Sequence, residues 1–306
     1  MEIIDFRIRH NLLRRLANIN VFGIRYLSKI LPTFIIPKPR DGIIIKTMHG
    51  FNLKIDPLKD TGVERSIYYT GTYELACLHI IKNILQEGEV FVDIGANIGL
   101  MSVFSALIVQ NKGVVYSFEP NPATRSILKE NIHLNDVKNI IVSEYAIGSK
   151  TDKGRIFENW HINRGGASLI DSGMGSDYYD ITIIKLDEFV NLRKPIKLIK
   201  IDVEGYEMEA LKGSMNIISD PKGPILIVEC VKERAFQDYS GDDLFSFITK
   251  VNNYRIFKSI GRKKDSPSLV EVTDAKDLPQ HANIYCFLPH HYQAVNIKQI
   301  FKRRLL

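Results

Sequence analysis

The stretch Phe91-Val92-Asp93-Ile94-Gly95-Ala96-Asn97-Ile98-Gly99 decides the fold. An apolar strand ends at a glycine-containing turn, and a helix follows. In a doubly wound sheet such a turn lies in the crevice at the carboxyl ends of the strands, where ligands bind. Gly95 lets backbone approach a ligand without a Cβ, and Gly99 lets the helix pack closely on the strand. The uncharged run 94–111 just reaches the length of a membrane-spanning helix. It opens on this loop directly after Asp93, so it reads as a buried loop and helix.

Working outward, strands and helices alternate. Strands are expected at 89–94, 113–118, 140–146, 196–201 and 225–229, with helices at 97–110, 122–134, 206–212 and 242–251 between them. A polar, glycine-rich insertion over 150–186 interrupts the series and ends in a strand. Residues 254–258 and 283–288 form a final strand pair. Upstream, 42–57 reads as a hairpin about His49-Gly50, and helical periodicity runs over 61–86. The alternation predicts an α/β fold: a mostly parallel sheet with helices on both faces and a C-terminal antiparallel strand pair.

The 306 residues are 45% hydrophobic and 25% charged, which argues against long disorder. Three separated cysteines argue against a disulfide scaffold or zinc ribbon and fit a reducing compartment. Residues 1–40 hold eight Lys/Arg and two acids, and so carry the entire net charge of +6. The body is neutral, which gives no support to a nucleic-acid groove. The basic arm therefore forms a segment apart from the domain at 41–306, with a boundary near Arg40 after Pro32, Pro37 and Pro39. It reads either as a packing helix with a solvated basic face or as a peripheral membrane or partner contact. No secretory signal is visible, and a cytoplasmic location is expected.

Twenty residues after Gly99, Glu119 ends the next strand, where a carboxylate can accept both hydroxyls of a ribose. A dinucleotide site needs GxGxxG so that pyrophosphate meets the helix N-terminus. Here Asn97 stands where the second glycine would be. The run D-x-G-x-N-x-G instead matches a loop for S-adenosylmethionine. A second cluster, Lys200-Ile201-Asp202-Val203-Glu204-Gly205, ends another strand with two acids. Lys200, Asp202 and Glu204 point the same way on a strand. The structural alternative is a Lys–Asp pair plus a helix-terminal acid; the functional reading is a catalytic or acceptor-orienting cluster. Glu229, ending the next strand, lies beside it.

These motifs resemble the FkbM family of methyltransferases. Asp93–Gly99, Phe118-Glu119-Pro120, Lys200–Glu207 and Val228-Glu229 carry the resemblance, with Gly71–Glu74 and Leu186–Glu188 adding to it over about 60–290. It implies a Rossmann-like class I fold using S-adenosyl-L-methionine, with a glycan or small-molecule acceptor methylated on oxygen. It also implies that Asp93, Gly95, Asn97 and Gly99 border the methionine end. Glu119 then holds the ribose, Ala146 and Ile147 flank the adenine, and Asp202 and Glu204 meet the acceptor.

Asp202 is the first candidate base and Glu204 the second, with Lys200 keeping Asp202 ionised or holding an acceptor oxygen. Glu229 and His161 are candidate acceptor contacts, and Trp160, His161 and Asn163 a candidate lid. His49, His79 and His133 read as surface or packing residues. Asp202, Glu229 and His161 lack recognisable metal-ligand spacing, so no metal is expected. The Asn/Asp-Pro-Pro-Tyr tetrapeptide of amino-directed methyltransferases is missing, which favours oxygen as acceptor. The rival readings are a nicotinamide-dependent oxidoreductase and a catalytically silent binding module.

Overall fold

A computed structural model describes residues 3–17, 35–157, 169, 177–189, 194–232, 238–260, 268–293 and 300–301. The proposed lid at Trp160, His161 and Asn163, and residues 18–34 of the basic arm, lie outside the described residues.

The central sheet has eight strands. Its parallel half comprises β4 (Val90–Ile94), β5 (Val114–Phe118), β6 (Ile140–Ser143), β10 (Ile196–Ile201) and β11 (Ile225–Val231). Its antiparallel half comprises β12 (Arg255–Ile260), β13 (Ser268–Val272) and β14 (His281–Phe287). The order is β13-β12-β14-β11-β10-β4-β5-β6. The C-terminal strand pair is present, but β14 lies between β11 and β12, and β13 extends the edge. Glu229 does not end its strand: pairing with β14 carries β11 on to Val231.

The inner parallel strands β4, β10 and β11 are buried on both faces, and their successive residues feed opposite cores. Phe91, Val115, Leu198 and Ile227 face one core, shared with α2 (Val63–Thr70), α3 (Leu75–Ile84) and α4 (Leu100–Val109). Val92, Ile199, Ile201 and Val228 face the other, shared with α6 (Glu207–Lys212), α7 (Met215–Ser219) and α8 (Gly241–Val251). Among the described residues, no helix is long and apolar enough to cross a membrane. The run 94–111 is spent on the turn and the ten-residue α4.

The helix expected over 61–86 is two helices. Gly71, at φ 74°, caps α2, and Glu74, at φ 45°, starts α3. The strand expected at 140–146 also splits. β6 stays in the main sheet, whereas β7 (Ala146–Ile147) joins β8 (Asp152–Phe157) and β9 (Tyr178–Ile184) in a small sheet built from the insertion. The hairpin is as expected, with β2 (Ile43–Lys46) paired to β3 (Asn52–Ile55). α5 (Pro122–His133) docks it: Asn131 Oδ1 accepts from Lys54 N at 2.6 Å while its Nδ2 donates to Ile98 O at 2.8 Å.

The described part of the arm is integrated into the domain. β1 (Ile3–Ile4) pairs with β2, and α1 (Arg7–Ala17) follows. Phe6 and His10 are buried, and the Phe6 ring meets Tyr68 edge-on at 5.7 Å. His10 Nε2 bonds Tyr68 O at 3.0 Å. Ile8 and Leu12 face outward.

The tips of β4 and β10 approach as closely as backbone can. Asp202 N donates to Ile94 O at 3.0 Å, and a Cβ on Gly95 would lie 1.8 Å from Asp202 O. Gly95→Ala should therefore cost about 4 kcal/mol or prevent folding. Gly50→Ala, at a similar positive φ with no atom within 4 Å, should cost only about 1–2 kcal/mol. Denaturant melts of the two variants isolate the steric term. For the arm, Phe6→Ala should lose about 3–5 kcal/mol and the exposed Ile8→Ala less than about 0.5 kcal/mol. Equal small losses would show that the arm is not part of the fold.

Candidate active site

The carboxyl ends of β4, β5, β10 and β11 surround a cavity of about 400 Å³, within the range of small-ligand sites. Every sequence-predicted site residue among the described residues except Gly99 lines it. His161 lies outside the described residues. Gly99 caps α4 behind the cavity, and its missing Cβ makes room for Leu128 of α5, not for the strand as expected.

On one side, the turn after β4 is held by its neighbour. Gly95 N and Ala96 N both donate to Phe118 O at 3.0 Å. Asn97 stands at φ 50°, a left-handed conformation that asparagine tolerates better than most residues. Its side-chain oxygen accepts from Ile98 N at 2.8 Å, which explains why asparagine serves where a second glycine would otherwise stand. Asn97 N donates to Glu119 Oε2 at 2.8 Å, and Asn121 N donates to Glu119 Oε1 at 3.0 Å. Burial pushes the Glu119 carboxyl up to about 7 against the pull of those two amides. A carboxylate offers about four lone-pair sites, so two amide bonds leave acceptor capacity facing the cavity.

Asp93 is buried at the tip of β4. Its Oδ2 accepts from Ser102 Oγ, which accepts in turn from Ser117. Its Oδ1 is sealed from solvent and has no hydrogen-bond partner in the structure. Burial raises its carboxyl above the ordinary range, with Lys200 opposing. Ala146 and Ile147 contribute an apolar wall from β7.

Across the cavity stands the second cluster. Lys200, only 4% exposed, places Nζ 2.6 Å from Asp202 Oδ2 and 3.9 Å from Glu74 Oε2. Burial works against its charge, but Asp202 and Glu74 outweigh it and hold the ammonium well above its ordinary value. The turn beyond Asp202 is pinned by Glu207, whose Oε1 accepts from Val203 N and Gly205 N at 3.3 and 3.0 Å. Tyr239 donates its hydroxyl to the other oxygen of Glu207. Within that turn Glu204 stands at φ 50°. Glu229 Oε1 bonds His281 Nε2 at 2.9 Å.

Sequence reasoning missed Glu74, Asn283, His281 and Glu207 as members of the site. Glu74 starts α3 beneath Lys200, and its Oε1 accepts from Asn283 Nδ2 at 2.8 Å. Burial pushes the Glu74 carboxyl up to about 7, with Lys200 opposing. The available signal was Gly71–Glu74, a stretch noticed for its resemblance but given no task. Of the histidines set aside, His49 packs against Phe104 and bonds Thr72 Oγ1 at 2.8 Å.

The methyltransferase FkbM domain matches residues 93–256, just over half of the chain and all four strand tips of the cavity. Hexuronic acid methyltransferase AglP of Haloferax volcanii is 34% identical over 143 residues, which cover 45% of this chain and 56% of that protein. Methyltransferase sdnD of Sordaria araneosa is 24% identical over 182 residues, covering 49% of this chain and 69% of that one. The crystal structure of an FkbM methyltransferase from Methylobacillus flagellatus KT aligns at 17% identity with a TM-score of 0.44, over 92% of this chain and 59% of that one. The chain thus spans little more than half the length of the first relative. With the domain match running through Asp93, Glu119, Asp202 and Glu229, the chain belongs to the FkbM methyltransferase family.

Proposed function

We propose that this protein is an S-adenosylmethionine-dependent O-methyltransferase acting on a hydroxyl of a sugar, glycan or secondary metabolite. The observation that carries the reading is the pairing of Glu119 with the Gly95–Gly99 turn. A buried carboxylate oriented by two backbone amides stands beside a glycine turn at the sheet's ligand crevice. A ribose diol fits its remaining lone pairs. The residues present suit the rest of the donor as well. The sealed, unpartnered Oδ1 of Asp93 suits a cationic ammonium or sulfonium, and Ala146 and Ile147 suit an adenine face. A saccharide acceptor draws support from AglP, whose name assigns it hexuronic acid.

When bound, the donor supplies a methyl carbon on a sulfonium: the acceptor oxygen bonds that carbon as the C–S bond breaks with its electron pair kept on sulfur. The chain's own residues have two tasks. Both walls hold the reactants in line, and such alignment is worth roughly 7–11 kcal/mol. A carboxylate also removes the hydroxyl proton as the bond forms, worth about 10²–10⁴ in rate. Asp202 is assigned that proton, since its carboxylate stands at the tip of β10 with Lys200 fixing Oδ2. Glu204 is the next nearest candidate on the same turn.

Two experiments test this reading. Calorimetric titration with S-adenosylhomocysteine should show affinity rising with pH. Only an ionised Glu119 accepts both ribose hydroxyls, and with its carboxyl near 7 the ionised fraction grows about tenfold between pH 6 and 8. Glu119→Ala should weaken binding by roughly 1.5–3 kcal/mol and flatten the profile. Equal affinity in the two proteins would remove Glu119 from the site. For the transfer step, labelled methyl should pass from the donor to a member of a saccharide panel as a base-stable ether. Asp202→Asn should lower that rate by about 10²–10⁴ with analogue affinity changed only a few-fold. A rate within a few-fold of wild type would place the proton elsewhere.

A further inference from the structure

Residues 6–40 contain eight Lys/Arg and not one Asp or Glu. The fold gathers the two ends of this run beside α2. Arg9, on α1, donates to Ile35 O at 3.3 Å, and the Tyr68 hydroxyl of α2 donates to Pro37 O at 2.9 Å. Burial and Tyr69 raise that hydroxyl above its ordinary value, while Arg40 and Arg9 both oppose them, so both guanidiniums stand near it. Arg9, Lys38 and Arg40 are exposed. Among the described residues, the side chains of Lys38 and Arg40 meet no acid, and residues 18–34 contain none to offer. Arg7 is the exception, since Asp5 pairs with it at 2.6 Å, and it is left out of the count.

A second, independent observation is the outward face of α1. The helix turns His10 and Leu13 towards the domain. On the opposite side Ile8 and Leu12 stand one turn apart, 87% and 48% exposed. Arg14 and Arg15 continue the same helix in sequence. Single exposed aliphatic residues are ordinary on a protein surface. A pair one turn apart, on a helix within an acid-free basic run, is a more specific combination. A nucleic-acid backbone rewards the basic residues and leaves the aliphatic pair unused. The surface of an anionic bilayer rewards both, because phosphate headgroups lie directly above an apolar boundary.

We propose that the outward face of α1, with Arg9, Lys38 and Arg40 beside it, docks on an anionic lipid bilayer. Ile8 and Leu12 then enter the boundary between headgroups and acyl chains, and the basic side chains meet the phosphates. The helix lies along the surface and does not cross it. The attachment is rigid. Phe6 meets Tyr68 edge-on, and His10 Nδ1 lies 2.5 Å from where a Cβ on Gly71 would stand, in the turn that leads to Glu74. A bilayer bound to α1 is thus held in fixed relation to the cavity wall. This docking does not rest on the methyl-transfer reading.

The test is co-sedimentation of the full-length protein with vesicles of phosphatidylcholine alone and of equal parts phosphatidylcholine and phosphatidylglycerol. The expected result is binding to the mixed vesicles, weakened by salt, and at least about tenfold weaker binding to the neutral ones. Each basic side chain near such a surface strengthens binding about fivefold, so Lys38→Glu combined with Arg40→Glu should weaken it more than about twentyfold. Ile8→Glu combined with Leu12→Glu should weaken it more than about tenfold. Leu107→Glu, at a comparably exposed leucine on α4, should leave it unchanged. Thermal melts identify any variant that fails to fold, and the remaining pair then decides. Folded wild type that does not sediment, or that binds both vesicle types equally, overturns the proposal. So does an equal loss in Leu107→Glu. Salt-sensitive binding that survives Ile8→Glu with Leu12→Glu also overturns it, and marks a general polyanion site such as a nucleic acid would use.

Discussion

The close approach of two strand tips organises this molecule. Asp202 donates its amide to Ile94 O, and its carbonyl occupies the space a side chain at residue 95 would take. That contact welds the glycine turn after β4 to the acid-bearing turn after β10. The turn that lies against Glu119 and the turn that carries Asp202 and Glu204 therefore keep a fixed separation across one cavity. A reaction that needs two molecules aligned end to end needs this kind of rigid spacing more than it needs any one side chain.

The cavity it creates is unusually acidic for a buried place. Asp93, Glu119, Glu74, Asp202, Glu204 and Glu229 all line it. Backbone amides hold Glu119, hydroxyls hold Asp93, and Lys200 is shared by Asp202 and Glu74. Burial still raises the carboxyls of Glu119 and Glu74 to about 7. Such a wall stores a preference for cationic ligands, which suits the proposed sulfonium donor. Strain collects there too. Among the described residues, Glu74, Asn97 and Glu204 combine a positive φ with a place on the cavity wall, the distribution expected where backbone is held for function.

Much of this was legible in sequence, because each half of the site is local. An apolar run, an acid, a glycine and a helix identify the tips of β4 and β10 without knowledge of the partner strands. Glu119 was legible for the same reason. Asn283 and His281 were not, since they reach Glu229 only through antiparallel pairing of β14, which inserts between β11 and β12. Glu74 was hidden by the periodicity of 61–86, which passes unbroken over Gly71 although the chain turns there. Charge alone left open whether the arm packs on the domain. Phe6 and His10 are widely spaced among arginines, yet both turn inward onto Tyr68.

The central claim is that the two strand tips form the two walls of one methyl-transfer site. A crystal structure of the full-length protein with S-adenosylhomocysteine tests it most directly. The account requires the ribose hydroxyls on Glu119 and the homocysteine portion along the Gly95–Gly99 turn beside Asp93. The sulfur must then face Asp202 and Glu204. An analogue bound outside this cavity, or lying in it with its sulfur turned away from the β10 tip, would contradict it.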